Sequence, residues 1–395
     1  MHHAALVLFV GLGLCGAANG CASDPAYPEY PLDGITVFVG FEEPICGGTF
    51  DWMEARLRWL EAQTGVAVSI PSISYYWLRE DVLDYCPTGA CAHGTKIYSP
   101  LELFSHELVH GHLFQLGRPR PWLTEGIAAM LEDSRWSVLE PAMTPSEMLA
   151  QSDARRLDYD SAASFVRYLR DRFGMPAVIE LYAALDRVDA QETPNVFLAV
   201  LGEDWRSVEE AYVALTPDPV GSLNCDFPML APEAGTWTLP IASAWCENAA
   251  AVGPFLGLDA SFIPYSERHV IVEIPEAGLY TLIMTSTTNA GVGVIACDEP
   301  LDGFGRYNTH VNESIEFVPG RKRLTIVTEV ANEAVGEVVL RRGPAAVPGA
   351  PGARESGTPG QASGGERGAP GRSARGGAWH PRHGQIRADS GRGPV

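Results

Sequence analysis

The chain has 395 residues, 46% of them hydrophobic, more than a single compact core usually takes, so two domains with appendages are expected. A formal net charge of −21 argues against nucleic acid as a general partner. The charge is uneven: residues 343–395 hold seven Arg against Glu355, Glu366 and Asp389, so the tail is basic and the remainder carries the acidity.

Residues 1–20 read as an export signal. Leu6 to Leu14 is an apolar run too short to span a membrane as a mature helix, and small residues follow it. Ala18-Asn19-Gly20-Cys21 resembles a bacterial lipobox, which implies an exported chain, either secreted or attached to the membrane of the cell envelope through a lipidated Cys21. Beyond Cys15 and Cys21 stand Cys46, Cys86, Cys91, Cys225, Cys246 and Cys297. An even number outside the cytosol reads as disulfides, with fifteen complete pairings open for six cysteines. Cys86 and Cys91 flank the turn-like Pro87-Thr88-Gly89-Ala90 and are candidates to pair locally.

After a spacer at 21–33, residues 34–217 form the first expected domain. Ile35 to Val39 is a predicted strand, and Phe50, Met53, Leu57 and Leu60 recur at helical spacing. Val66, Val68 and Ile70 alternate as a strand does. Ser74 to Leu78 and Lys96 to Tyr98 are further strand candidates. The aromatic residues Trp52, Trp59, Tyr75, Tyr76 and Trp77 are expected in the core. A series of helices follows, and Pro217 and Pro219 mark the exit. Residues 222–342 change character: strand-like runs at 270–274, 280–284, 324–328 and 335–340 are separated by turn residues, a small β-sandwich pattern. Residues 343–395 are rich in Gly, Pro, Ser and Arg and are expected to be disordered.

The chemistry sits in Ser105-His106-Glu107-Leu108-Val109-His110. On a helix, His106 and His110 are four residues apart and share a face, so both imidazoles can reach one metal ion. Glu107 is rotated by about 100° from His106 and can stand beside water at the metal as a general base. Leu101, Phe104, Leu108 and Leu113 supply an apolar stripe, with Pro100 near the helix start. Fourteen residues intervene between His110 and Glu125, which stands in Trp122-Leu123-Thr124-Glu125-Gly126-Ile127-Ala128. Pro119 and Pro121 make a turn before a second helix, which can return the Glu125 carboxylate to the histidines. Two His and one Glu form a catalytic zinc set with a position left for water. His112 lies about 200° round the helix from His110 and is not expected at the metal. A metzincin needs Gly at 113 and His at 116, and both are Leu.

The stretch from roughly 34 to 215 resembles the gluzincin clan of bacterial zinc metallopeptidases, in particular families of the peptidase-MA-like type in which HExxH is followed by WLxEGxA. The resemblance continues through Tyr159 to Leu169 and Arg172-Phe173-Gly174, a segment such families use as a helix packed behind the active site. It implies an α+β, zincin-like domain binding Zn2+ through His106, His110 and Glu125, with Glu107 as the base and a peptide or protein substrate. Tyr159 is the candidate second donor to the oxyanion. Ala277 to Leu282 resembles the β-sandwich modules appended to secreted bacterial peptidases, the pre-peptidase C-terminal domains. The alternative expectation is a cell-envelope binding protein that keeps the metallopeptidase fold without turnover. No feature of the sequence specifies an oligomeric state.

Overall fold

The structure, a computed structural model, describes residues 27–68, 73–87, 89–101, 105–132, 141–215, 225–255, 264–287, 290–297, 305–308, 312–330 and 335–343. The expected export signal, Cys21, Ile70, Phe104, Pro217, Pro219 and the tail from 344 onward lie outside these residues. The described chain is mixed α+β.

Strands β1 (Glu29–Pro31) and β2 (Ile35–Val39) are followed by helix α1 (Thr49–Thr64), then by β3 (Ile73–Trp77), β4 (Cys91–His93) and β5 (Lys96–Ser99). They make one sheet in the order β1-β2-β3-β5-β4. β2, β3 and β5 run parallel, while β1 and β4 are antiparallel edges. Successive side chains on a strand point to opposite faces. Ile35, Val37, Val39, Ile73, Tyr75, Trp77 and Ile97 therefore enter the main core. On the other face, the rings of Phe38, Tyr76, Tyr98 and Tyr85 stack in a row at centroid spacings of 4.6, 4.8 and 4.7 Å.

Seven further helices are described: α2 (Ser105–Leu113), α3 (Pro121–Leu131), α4 (Pro145–Ala150), α5 (Tyr159–Phe173), α6 (Met175–Ala184), α7 (Thr193–Leu201) and α8 (Trp205–Val213). The apolar stripe of α1, Met53, Leu57 and Leu60, is buried as its spacing predicts, and Gly65 ends the helix at φ 69°. Trp52 and Trp59 pack against this core, which also takes Leu108, Trp122, Phe165 and Trp205. At about 25 cal/mol per Å² of apolar surface buried, such a shared interior is the main favourable term holding the helices to the sheet.

Two expectations need correction. The 21–33 segment is more than a spacer, because β1 pairs with β2 in the register Tyr30 to Val37. Val66 and Val68 do not form a strand: they lie in irregular chain after α1, where the Val68 amide donates to Glu61 Oε1 at 2.8 Å. That local side-chain bond takes the amide that a ladder would need.

The C-terminal half contains β6 (Thr236–Pro240), β7 (Val252–Phe255), β8 (Tyr265–Ile274), β9 (Gly278–Ser286), β10 (Ala290–Ala296), β11 (Gly305–Asn308), β12 (Asn312–Phe317), β13 (Gly320–Glu329) and β14 (Gly336–Arg342). They form two antiparallel sheets, ordered β11-β10-β13-β8-β7 and β12-β9-β14-β6. Val270, Val272, Leu324 and Ile326 of one sheet share a core with Trp237, Leu282, Met284 and Leu340 of the other.

The two cores are joined at the start of α1. Cys46 is disulfide-bonded to Cys246, 200 residues on. Thr49 Oγ1 donates to the Gly253 carbonyl at 2.6 Å and accepts from its amide at 2.9 Å. Gly48 is required here, since a Cβ on it would stand 2.9 Å from the carbonyl oxygens of Ala249 and Ala251. Cys86–Cys91 and Cys225–Cys297 are the other disulfides. Three such bonds suit an oxidising extracellular or periplasmic setting. No helix among the described residues is long and apolar enough to cross a membrane.

Candidate metal centre

α2 and α3 meet because the turn between them is pinned on both sides. Gly117, at φ 116°, lies so close to Asp186 that a Cβ would stand 2.6 Å from it, and Asp186 Oδ1 accepts from the Arg118 amide at 2.7 Å. Arg120 then donates to the carbonyls of Leu149 and Gln151 at 3.1 and 2.9 Å. Pro121 occupies the first position of α3, where its missing N–H costs no helical bond. Gly126 brings α3 against α5, with Val166 Cγ2 at 2.7 Å and the Ala162 carbonyl at 2.8 Å from where a Cβ would sit.

This geometry brings together the three residues singled out as ligands. Glu125 Oε2 lies 3.1 Å from Nε2 of His106 and 3.1 Å from Nε2 of His110. The two imidazoles meet edge to face at 4.8 Å. His106 is 4% exposed, while His110 and Glu125 are each 15% exposed, so the cluster is sheltered yet reachable from solvent. Burial would lower the His106 pKa, but the adjacent Glu125 and Glu132 carboxylates outweigh it and raise the value to about 10. Burial would raise Glu125, and the two imidazoles instead hold it well below the usual carboxylate range. Both shifts have one cause: a carboxylate is buried among imidazoles, whose hydrogen bonds and positive charge stabilise it.

Glu107 lies in the first turn of α2 and is half-buried. Its charge acts on both His106 and Tyr159. Asp158 caps α5 by accepting from the Ser161 amide at 2.8 Å, which places Tyr159 at the helix start. The Tyr159 ring lies parallel to His106 at 5.6 Å, with 2° between the planes. Burial, then the charges of Glu125 and Glu107, push its hydroxyl pKa up, so it stays a proton donor at neutral pH. His112 belongs elsewhere: its Nε2 is 3.0 Å from Thr64 Oγ1, and burial lowers its pKa to about 4.

Glu132 is the residue whose role sequence reasoning missed. Its Oε2 lies 3.1 Å from Nδ1 of His106, the nitrogen opposite the one facing Glu125. The signal was present in the spacing, since Glu132 stands seven residues after Glu125, about two helical turns on and just past the end of α3 at Leu131. Arg56, fully buried on α1, donates to the carbonyl of Leu131 and so holds the end of α3 next to Glu132.

The donor set is two imidazole nitrogens and one carboxylate oxygen, with ligand atoms all within 4.8 Å of one another. These are ordinary ligands for a first-row divalent ion, and three protein ligands leave room for water.

No family model matches the chain, and no curated protein matches it. Among solved structures it is similar to the pre-peptidase C-terminal domain of collagenase from Bacillus anthracis, at 9% identity and a TM-score of 0.17, over 27% of this chain and 85% of that one. It is also similar to PliG, a periplasmic inhibitor of g-type lysozyme from Aeromonas hydrophila, at 14% identity and a TM-score of 0.17, over 29% of this chain and 94% of that one. For the isomalto-dextranase of Arthrobacter globiformis T6 the figures are 17% identity, a TM-score of 0.19, and 28% and 24% coverage. At such scores these weak likenesses carry no argument about what this chain binds or turns over.

Proposed function

We propose that the chain is an exported zinc-dependent peptidase of the gluzincin type, with a zincin-like domain followed by a β-sandwich domain. One observation carries the reading: a single Glu125 oxygen stands 3.1 Å from Nε2 of both His106 and His110, which leaves three donors aimed at one point. The residues fit the ion, since His106, His110 and Glu125 would hold it and Glu132 would fix the His106 ring through Nδ1. Zinc supplies Lewis acidity, lowering the pKa of a water from about 15.7 toward about 7 and polarising the scissile carbonyl.

The remaining work falls to side chains. Glu107 takes the proton from the attacking water and returns it to the leaving amine, so that one carboxylate serves as base and then as acid. The Tyr159 hydroxyl donates to the oxygen that becomes negative as the carbonyl is attacked. The substrate is a peptide or protein met outside the cytosol, in keeping with the three disulfides.

The test pairs metal content with casein hydrolysis on the full chain and on Glu107→Gln. One zinc per chain is expected in both, with activity falling by about 10²–10⁴-fold in the variant, the usual weight of a general acid–base group. A chain that takes up no zinc, or a variant as active as the native protein, overturns the reading. Zinc uptake without hydrolysis of any member of a broad peptide library would favour a non-catalytic envelope binding protein.

A further inference from the structure

Among the described residues, two groups of three donor side chains bring their ligand atoms within 4.8 Å of one another. One is the centre above. The other is Cys86, Cys91 and His93, on the outer edge of the N-terminal sheet, where β4 pairs with β5 and with no other strand among the described residues.

Cys86 and Cys91 are joined as a disulfide across a Cα separation of 5.7 Å. His93 stands two residues beyond Cys91 on the same strand, so the two side chains share a face. Its Nε2 lies 3.3 Å from Cys91 Sγ. Cys86 is buried, Cys91 half-buried and His93 exposed, so the cluster opens to solvent on the imidazole side. An imidazole at this distance contributes little to a disulfide. To a pair of thiols it matters twice, because a protonated imidazole favours the thiolate and a neutral one is a third ligand.

We propose that Cys86, Cys91 and His93 form a redox-gated site for a soft metal ion, Cu(I): the disulfide is the closed state and the dithiol the binding state. The opening step is thiol–disulfide exchange with an external dithiol. Its thiolate attacks one sulfur of the Cys86–Cys91 bond, and its second thiol then displaces the other. Two electrons pass to the cysteines, the reductant leaves as its own disulfide, and Cys86 and Cys91 end as thiols. Binding Cu(I) releases the two thiol protons. Two thiolates with one imidazole form a soft, three-donor set that hard cations do not compete for. With metal–sulfur bonds of about 2.3 Å, the sulfurs must part to roughly 4 Å. Rotation about the two Cα–Cβ bonds provides this from a Cα separation of 5.7 Å without moving the strand.

The inference does not rest on the peptidase reading, because it uses none of the same residues. It is tested on the full, zinc-loaded chain and on C86S/C91S and His93→Ala. Each is reduced with a phosphine and titrated anaerobically with Cu(I) against a chromophoric copper chelator. Subtracting the uptake of C86S/C91S removes copper held by thiols of the other two disulfides. The native chain is expected to bind one more Cu(I) than C86S/C91S when reduced and no more when oxidised. X-ray absorption should show a nitrogen ligand that is lost in His93→Ala, with affinity down by at least about tenfold, the lower bound for disturbing a ligand's surroundings. His93 is exposed, so its variant tests the site whether or not the double cysteine variant folds well. Equal copper uptake in the reduced native and reduced C86S/C91S chains, or an affinity indifferent to His93→Ala, overturns the proposal.

Discussion

Glu132 places a carboxylate oxygen 3.1 Å from Nδ1 of His106, while Glu125 faces the other nitrogen of the same ring. The imidazole is thereby fixed in plane, with Nδ1 turned to Glu132 and Nε2 turned to the centre. Partners of this kind typically change metal affinity by about 10–100-fold. Glu132→Ala should therefore weaken zinc binding by that order in a chelator competition, and Glu132→Gln by less, because its amide oxygen still accepts from Nδ1–H. An affinity unchanged in both variants would reduce Glu132 to a merely buried carboxylate.

Gly126→Ala tests whether the close approach of α3 and α5 positions Glu125. The added Cβ would meet Val166 Cγ2 at 2.7 Å and the Ala162 carbonyl at 2.8 Å. The side chain can yield and the carbonyl cannot, so the helices must part. Overpacking of this sort costs about 1–3 kcal/mol, read as a lower melting temperature. Zinc affinity should fall with it, since Glu125 is the adjoining residue. Val166→Ala in the same chain should restore only part of the loss.

Tyr159→Phe keeps the ring that lies parallel to His106 at 5.6 Å and removes the hydroxyl alone. If that hydroxyl stabilises the oxyanion, kcat should fall by about 10²–10³-fold at constant zinc content, with KM little changed. A variant with native kcat would leave Tyr159 with a packing role only.

Removing the cross-link between the two cores with C46S/C246S should lower stability by about 2–5 kcal/mol, because a bond closing so long a loop strongly constrains the unfolded chain. Zinc content should not change, since neither cysteine adjoins the centre. Unaltered thermal unfolding would mean that the Thr49–Gly253 bonds suffice to hold the cores together.

Stripping the metal with a chelator should destabilise the chain, because an ion that binds only the folded state adds about 2.7 kcal/mol at a hundredfold excess over Kd. Acid should act in the same direction. An imidazole or carboxylate must give up its proton to hold the ion, so protons compete with the metal for His106 and Glu125, and metal content should fall as pH is lowered. Metal content constant down to strongly acidic pH would be inconsistent with imidazole ligands.

What the sequence determined by itself was local. The helix carrying His106 and His110 follows from a spacing of four residues, the return of Glu125 from two prolines ahead of an apolar stretch, and Ile35 to Val39 from alternation. Each is written within about a dozen residues, the range over which backbone periodicity and turn chemistry act. β1, β4, β6, β7, β10, β11 and β12 escaped notice; in β1, β7 and β10, Pro31, Gly253, Pro254, Gly291 and Gly293 read as breakers until partner strands supply the hydrogen bonds. Tertiary structure alone decided which of fifteen pairings the six cysteines take, that Cys46 meets Cys246, and that Glu132 reaches His106 from across the α2–α3 turn. Contacts between residues far apart in sequence depend on loop closure and on how whole elements pack, and no short window of the chain contains that information.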